Sequence, residues 1–243
     1  MRLTKRKGKG SAMSENEGTA RSVDASEAAE LRDEMRARAN MYAFFSKVFL
    51  REFDDEELAR LGSSDAVPPL NERMADGSRR LARAVQVGGI DYRTRLAVEY
   101  ARIFLSAGIS EGTAAVPFES VYTSEDHLVM QDARDDVVAL YRRHGLDVEP
   151  RLHTPEDHLG FEMEFLSTLA ARSAEALSAG DDAAFAELAR VQLGFLEGHV
   201  LNWIGDLAED VEECAKDDFY PALMQIVIGY AELDVQNLRC LLE

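Results

Sequence analysis

The sequence predicts an all-α fold, a helical bundle of about eight to ten helices. Apolar residues recur at spacings of three and four from Ser26 to the end of the 243-residue chain, as expected for helices that bury one face. Strict alternation of apolar and polar residues, which is typical of half-buried strands, is not sustained anywhere. Residues that interrupt helices, such as Pro68, Pro69, Gly145 and Gly180, fall between the periodic segments.

The periodic segments predict a series of helices in chain order. Ser26 is a candidate N-cap for the first of them. Residues 107–124 lack a helical pattern and predict a long loop, and loops of this length in compact domains are often functional. The predicted helices are 26–50, 55–62, 70–87, 91–106, 124–144, 154–178, 182–206, 208–215 and 219–241.

Two of these helices have marked start signals. Ser124 is expected to cap the helix 124–144, because the acidic residues 125–126 follow it where the helix dipole favours negative charge. Residues 154–157, Thr-Pro-Glu-Asp, give the strongest local signal: a Thr cap, Pro at the first helical position and then two acids. The apolar stripe of the helix 124–144 is expected to comprise Leu128, Val129, Val137, Leu140 and Tyr141.

The chain divides at two places. Residues 1–25 are basic and polar and carry no apolar stretch, so we expect a disordered tail and no secretory signal. The segment 146–154 is expected to act as a hinge connector between an N-terminal helical lobe, 26–145, and a C-terminal helical lobe, 155–243. A hinge makes exchange of lobes feasible, so both a monomer and a swapped homodimer remain open.

Composition limits the classes of partner. With 45 acidic and 27 basic residues the formal net charge is -18, which repels nucleic acid and favours cationic partners. No apolar run approaches the roughly 18 residues that a membrane span needs, so we expect no stable membrane insertion. Two cysteines, Cys214 and Cys240, are too few for a disulfide framework and suit the reducing cytoplasm.

Familiar catalytic and cofactor-binding signatures are missing from the sequence. It contains no phosphate-binding glycine loop, no G-x-G-x-x-G, no C-x-x-C, no H-E-x-x-H and no G-x-S-x-G. The remaining histidines show no metal-ligand spacing relative to His158. We therefore predict a binding protein with no enzymatic activity, no cofactor and no metal.

Three segments hold the candidate binding residues, and each has a purely structural alternative. The first is an apolar helical stripe that also fits a core, and the second is an aromatic loop that also fits a core plug. The third could be a capped helix start, or acid–base or metal machinery built from Asp157, His158 and Glu162. The candidates are Glu99, Tyr100, Phe104, Pro117, Phe118, Glu119, Tyr122, Pro155, Asp157, His158 and Glu162.

Taken together, the three segments resemble the TorD/DmsD family of redox-enzyme maturation chaperones, relatives of the NarJ type. The family motif E-Y-x-x-L-F is matched by residues 99–104, with Ile103 in place of Leu. A P-x-E-S-V-Y-like loop is matched by residues 117–122, and P-x-D-H with a downstream acid is matched by residues 155–158 and Glu162. The sequence departs from the family pattern at Thr154, which replaces an acid, and after Trp203.

The resemblance implies an all-helical TorD-like bundle in the cytoplasm. It implies that the partner is the precursor of a molybdenum-cofactor oxidoreductase, bound before export, often through a twin-arginine signal peptide. Such a peptide carries two arginines and an apolar stretch, so the receptor is expected to combine carboxylates with an apolar groove. A NarJ-type assembly factor, which binds only the enzyme body, and a helical acid–base or metal-dependent hydrolase are the alternatives.

Overall fold

The computed structural model describes residues 3–5, 25–63, 67–105, 107–108 and 112–243. This part of the chain forms ten α-helices and one small sheet of two strands, which confirms the predicted all-α class. None of its helices is both long and apolar enough to cross a lipid bilayer. The helices are α1 Ala25–Leu50, α2 Asp55–Leu61, α3 Glu72–Gly88, α4 Tyr92–Phe104, α5 Glu119–Thr123, α6 Asp132–Arg143, α7 Leu159–Ala179, α8 Asp182–Phe195, α9 Ile204–Cys214 and α10 Phe219–Leu242.

Two helix pairs, α1 with α7 and α3 with α10, form the centre of the bundle. Each pair packs closely at a glycine. A Cβ at Gly160 in α7 would lie 2.3 Å from the Leu50 Cγ atom of α1, and a Cβ at Gly77 in α3 would lie 2.8 Å from the Ala222 carbonyl oxygen of α10. The missing side chain leaves room for the Leu50 side chain at Gly160, and at Gly77 it lets α3 approach the backbone of α10.

The two predicted lobes share one hydrophobic core. Helix α1 belongs to the predicted N-terminal lobe and α7 to the C-terminal lobe, yet they form the most extensive helix pair. A continuous cluster of buried side chains runs from Leu3 to Leu238 and includes Tyr42, Phe165 and Trp203. The lobes are thus packed as one body here, and hinge motion of residues 146–154 stays a prediction.

The connector itself contains regular structure. Its residues Leu146–Val148 form strand β2, and Pro150–Leu152 form a 3₁₀ turn. Strand β1, Leu3–Lys5, pairs with β2 in antiparallel register and buries Leu3 completely. These three residues therefore differ from the predicted disordered tail, and the rest of that tail, apart from Ala25, lies outside the described residues.

The predicted helix start at Ser124 is wrong. Ser124 ends α5, and α6 begins eight residues later, at Asp132. His127 and Met130 have positive φ angles of 51° and 63°, which no helix accommodates. The intervening turn folds back onto α5 instead, so the predicted stripe residues Leu128 and Val129 are exposed, whereas Val137 and Tyr141 are buried as expected.

The helix start predicted at residues 154–157 is also wrong. Helix α7 begins at Leu159, and its N-cap is His158, whose Nδ1 atom accepts a hydrogen bond from the Gly160 N–H. Residues 157–159 pair instead with the loop before α5, where Phe118 and His158 form an isolated antiparallel bridge. Long-range backbone pairing thus outweighs the local helix signal.

The predicted single helix 182–206 is interrupted in the structure. Helix α8 ends at Phe195, a π-helical turn covers Leu196–Val200, and α9 begins at Ile204. π-Helical turns are rare and are often found at functional sites. Here the turn brings His199 and Asn202 towards Glu119.

The close approach of α3 to α10 gives a test of this packing. Replacing Gly77 with Ala places a Cβ against the Ala222 backbone, so we expect the free energy of unfolding to fall by about 1–3 kcal/mol. The matched control is Gly194→Ala in α8, where nothing lies within 4 Å of the new Cβ. That change is expected to raise stability by up to about 1 kcal/mol, because Ala favours helix over Gly. Urea unfolding of both variants measures the difference, and equal effects would contradict the packing.

Candidate functional site

The loop before α5 and the segment before α7 are joined by a buried carboxylate. Asp157 is fully buried, and its Oδ2 atom accepts hydrogen bonds from the Ser120 backbone N–H, at 2.9 Å, and from the Ser120 hydroxyl. Two backbone bonds flank it: the Glu119 N–H donates to the Asp157 carbonyl, and the Leu159 N–H donates to the Pro117 carbonyl. Asp157 therefore fastens α5 to the start of α7.

A second buried carboxylate, Glu119, connects α5 to the π-helical turn. Its Oε2 atom lies 3.1 Å from the His199 Nδ1 atom, and its Oε1 atom accepts a hydrogen bond from the Asn202 side-chain amide at 3.3 Å. Only 2% of Glu119 is exposed. The ring nitrogen of His199 that faces this carboxylate must carry a hydrogen to bond it, which fixes the orientation of the imidazole.

Glu162 in the first turn of α7 is the third buried carboxylate. Neither of its oxygens, nor the Oδ1 atom of Asp157, has a hydrogen bond of normal geometry among the described residues. Burial raises the pKa of Glu162 well above its ordinary value, and the nearby carboxylates of Glu119 and Asp157 raise this pKa further. Burial beside two acids therefore disfavours the ionised form of Glu162 relative to its protonated form.

The hydroxyl of Tyr141 from α6 belongs to the same buried region. Burial raises its pKa well above the ordinary value, and the charges of Glu162, Asp157 and Glu119 add to this effect. Four elements thus contribute polar groups to one enclosed cluster. Among the described residues, no three or more His, Cys, Asp and Glu side chains are arranged as a metal site.

Two aromatic side chains of the loop and of α5 lie at the edge of this cluster. The Phe118 ring packs edge-on against the His158 ring, with centroids 5.0 Å apart. The Tyr122 ring stacks on Trp203 at 5.4 Å, and its hydroxyl donates to the Asp210 carboxylate of α9 at 3.0 Å. Because Tyr122 is only partly buried, it joins the enclosed cluster to the protein surface.

The predicted residues of α4 lie in a different place. Glu99 is buried, pairs with Arg102 and accepts a hydrogen bond from the Lys216 N–H between α9 and α10. The Tyr100 hydroxyl donates to the Phe49 carbonyl of α1, and the Phe104 ring packs on Tyr220 of α10. These three side chains make contacts in the core and at a turn. This agrees with the alternative interpretation of the segment, in which its apolar stripe belongs to the core.

The structure therefore brings some of the predicted residues together and separates others. Glu119, Asp157, His158 and Glu162 are neighbours, and all four are buried. Pro117 is buried beneath them, and Pro155 lines a surface groove of about 730 Å³. The expected open cleft lined by carboxylates is not what these residues form.

Several residues of the cluster were not among the predicted site residues. Ser120 lies inside the P-x-E-S-V-Y-like segment, so its position in that motif could have indicated a role. Asn202 and Asp210 had no such signal, because they follow the π-helical turn that interrupts the predicted helix.

Comparison with known proteins covers most of this region. Residues 68–209 match a protein family described as nitrate reductase delta subunit. The chain is 25% identical over 209 residues to chaperone protein TorD of Vibrio parahaemolyticus, covering 81% of this chain and 92% of the relative. It is 28% identical over 208 residues to chaperone protein TorD of a Vibrio cholerae strain, covering 81% and 90%. A protein of the same name from Psychrobacter sp. is 26% identical over 217 residues, covering 85% and 94%.

The buried carboxylate of Glu162 predicts a pH dependence of stability. Because the pKa of Glu162 is raised by folding, the folded chain keeps a proton that the unfolded chain releases as the pH rises. The contribution of this group to stability is therefore complete at low pH and is lost as the pH rises towards its folded pKa. Each unit by which the pKa is raised corresponds to about 1.4 kcal/mol.

We expect Glu162→Gln to remove this pH dependence. Between about pH 5 and pH 8 the free energy of unfolding of the variant should fall less than that of the unaltered chain. Glu175→Gln, at an exposed position of the same helix, removes the same charge and serves as the control. Denaturant unfolding at a series of pH values measures the slopes, and parallel slopes for all three proteins would refute the inference.

Proposed function

This chain belongs to the nitrate reductase delta subunit family, and from that membership we propose that it is a chaperone for the precursor of a molybdenum-cofactor oxidoreductase. In this proposal it binds the precursor in the cytoplasm, before export, and carries out no catalysis itself. The relatives named chaperone protein TorD match more than four-fifths of the chain, which supports a chaperone role. The twin-arginine signal peptide of the precursor is the proposed main contact.

The acidic face of α9 is the observation that carries this proposal. Helix α9 exposes five carboxylates and contains no basic residue. Among the described residues only one of the five, Glu212, forms an ion pair, and its partner is Arg80. The others are available to a cationic partner such as a pair of arginines. The five are Asp206, Glu209, Asp210, Glu212 and Glu213.

An exposed apolar turn lies on the other side of α5. Leu128 and Met130 are 56% and 60% exposed, and Val129 between them is also exposed. The turn is held against α5 by hydrogen bonds from the His127 ring to the Val121 carbonyl and from the Gln131 N–H to the Ser120 hydroxyl. Because Tyr122 joins α5 to Asp210, the acidic face and the apolar turn flank the same short helix. This pairing suits a peptide with two arginines followed by an apolar stretch.

The buried carboxylates take an indirect role in this proposal. Asp157 and Glu119 hold α5 in position through hydrogen bonds, His158 packs against Phe118 directly before α5, and Glu162 lies in the same buried cluster. Tyr122 is the predicted candidate that would contact the client directly. Glu99, Tyr100, Phe104, Pro117, Phe118 and Pro155 would then support the surface through packing. Replacing Asp157 is therefore expected to lower both stability and client binding, since two hydrogen bonds to a buried carboxylate are lost together.

The acidic face can be tested by removing charge without removing size. We expect Asp206→Asn combined with Asp210→Asn to weaken binding of a fluorescent twin-arginine signal peptide by about two- to thirtyfold, since exposed ion pairs contribute about 0.2–1 kcal/mol each. The dependence of affinity on salt should also decrease. Fluorescence anisotropy at two salt concentrations gives both quantities.

The matched control replaces Glu27 and Glu30 of α1 with Gln, which removes the same net charge from exposed positions outside α9. If peptide binding by the control is weakened equally, the affinity depends only on the overall charge of the chain and not on the acidic face of α9. If the chain does not bind the peptide but retains the oxidoreductase in pull-down experiments, the result would favour an assembly factor that binds the enzyme body alone. Failure of both interactions would refute the proposed function.

A further inference from the structure

The two-stranded sheet joins segments that are far apart in the chain. Strand β1, Leu3–Lys5, lies antiparallel to β2 with Leu3 opposite Val148, Thr4 opposite Asp147 and Lys5 opposite Leu146. The connector strand β2 has β1 as its only strand partner among the described residues. Without β1, the backbone donors and acceptors along one edge of β2 would be unpaired, and such edges capture extended segments.

The fit of β1 resembles that of a bound extended peptide. Leu3 is fully buried opposite Val148 and joins the main hydrophobic cluster, to which the equally buried Leu146 also belongs. Thr4 points the other way, where its hydroxyl donates to the Asp147 carbonyl at 3.3 Å. Alternation of one anchored side chain and one outward side chain is how strand-addition sites select their ligands.

The groove beside β1 offers carboxylates at its rim. It has a volume of about 730 Å³, and its lining includes the acids Asp147, Glu149 and Glu156 together with Arg134 and Arg142. The three acids are in ion pairs with arginines of the chain, and two of these pairs, to Arg142 and Arg151, have largely exposed guanidinium groups. Exposed ion pairs are weak, so another cation can share these carboxylates at little cost.

The segment that occupies the edge is strongly basic. Residues 2–7 read Arg-Leu-Thr-Lys-Arg-Lys, with one leucine in a run that contains four cationic side chains. The edge thus accepts an extended segment with one leucine-sized anchor, and the sequence around this anchor is basic. The positively charged region that flanks the arginine pair of a signal peptide has the same character, and the pair itself stays assigned to α9.

We propose that the edge of Leu146–Val148 is a docking site for an extended basic segment of the client, and that Leu3–Lys5 occupy it as a competitor within the same chain. The identity of the client segment rests on the proposed function, whereas the acceptor edge does not. A three-residue strand makes few hydrogen bonds, each contributing about 1 kcal/mol net, so it can be displaced. Because β1 is part of the same chain, it competes with the client at a high effective concentration. It therefore lowers the apparent affinity of the edge for the client.

The first experiment supplies the competing segment from outside. Leu3→Asp in the full chain places a charge in the buried anchor position and should release β1. A fluorescent peptide of residues 1–10 is then expected to bind this variant at least about tenfold more tightly than it binds the unaltered chain. The control is Leu70→Asp, an exposed leucine in a groove with α1 and α10. Binding equal to that of the unaltered chain, or no binding, would overturn the acceptor site.

The second experiment fixes β1 in place and does not depend on the stability of the first variant. Thr4 and Asp147 face each other, and opposed residues in antiparallel strands have Cα separations of about 4.5–5.5 Å, which suits a disulfide. Oxidised Thr4→Cys/Asp147→Cys chain should bind both the residue 1–10 peptide and a twin-arginine peptide at least about fivefold more weakly than its reduced form does.

The outcomes separate this inference from the proposed function. Unchanged twin-arginine peptide binding on oxidation would place the client elsewhere and overturn the competition, while leaving the chaperone role intact. If the twin-arginine peptide binds neither form, the proposed function is contradicted, and the residue 1–10 peptide still decides whether the acceptor edge exists.

Discussion

The buried hydrogen bonds between the Asp157 carboxylate and Ser120 determine how α5 and the start of α7 are arranged. A charged group without water must find hydrogen bonds, and Asp157 finds them on the backbone and hydroxyl of a residue 37 positions earlier in the chain. This requirement keeps residues 154–157 out of a helix and moves the start of α7 to Leu159. It also holds α5 against the bundle, so the surface on either side of α5 depends on it.

Two further buried carboxylates, Glu119 and Glu162, lie near Asp157, and burying three acids together is electrostatically unfavourable. Glu119 obtains partners from the π-helical turn, whereas Glu162 has none of normal geometry among the described residues, and burial beside two acids raises its pKa. Three acids in one enclosed space can coexist only if their charge is reduced or neutralised by neighbours. The cluster therefore stabilises the position of α5 to an extent that varies with pH. In the proposed function, Tyr122 and its exposed surroundings contact the client.

The connector between the predicted lobes has a structural role in the core and a proposed role in docking the client. Strand β2 closes the sheet with β1 and so contributes Leu3 and Leu146 to a core that both predicted lobes share. The same strand edge is suited to a segment from another chain. Docking of a client at β2 would thus act on a part of the molecule that helps to hold α6 and α7 together.

The sequence by itself determined the helical class and most helix bounds, because helix periodicity is a local property. The grouping of Glu119, Asp157, His158 and Glu162 as one set came from the resemblance of their motifs to those of a family. Tertiary structure decided that these residues are buried, since their burial depends on pairing between distant segments. It also displaced the helix starts at Ser124 and Thr154, where long-range hydrogen bonds replaced the local caps. The contribution of Asn202 and Asp210 likewise appeared only in three dimensions, because the turn that precedes them has no sequence signal of its own.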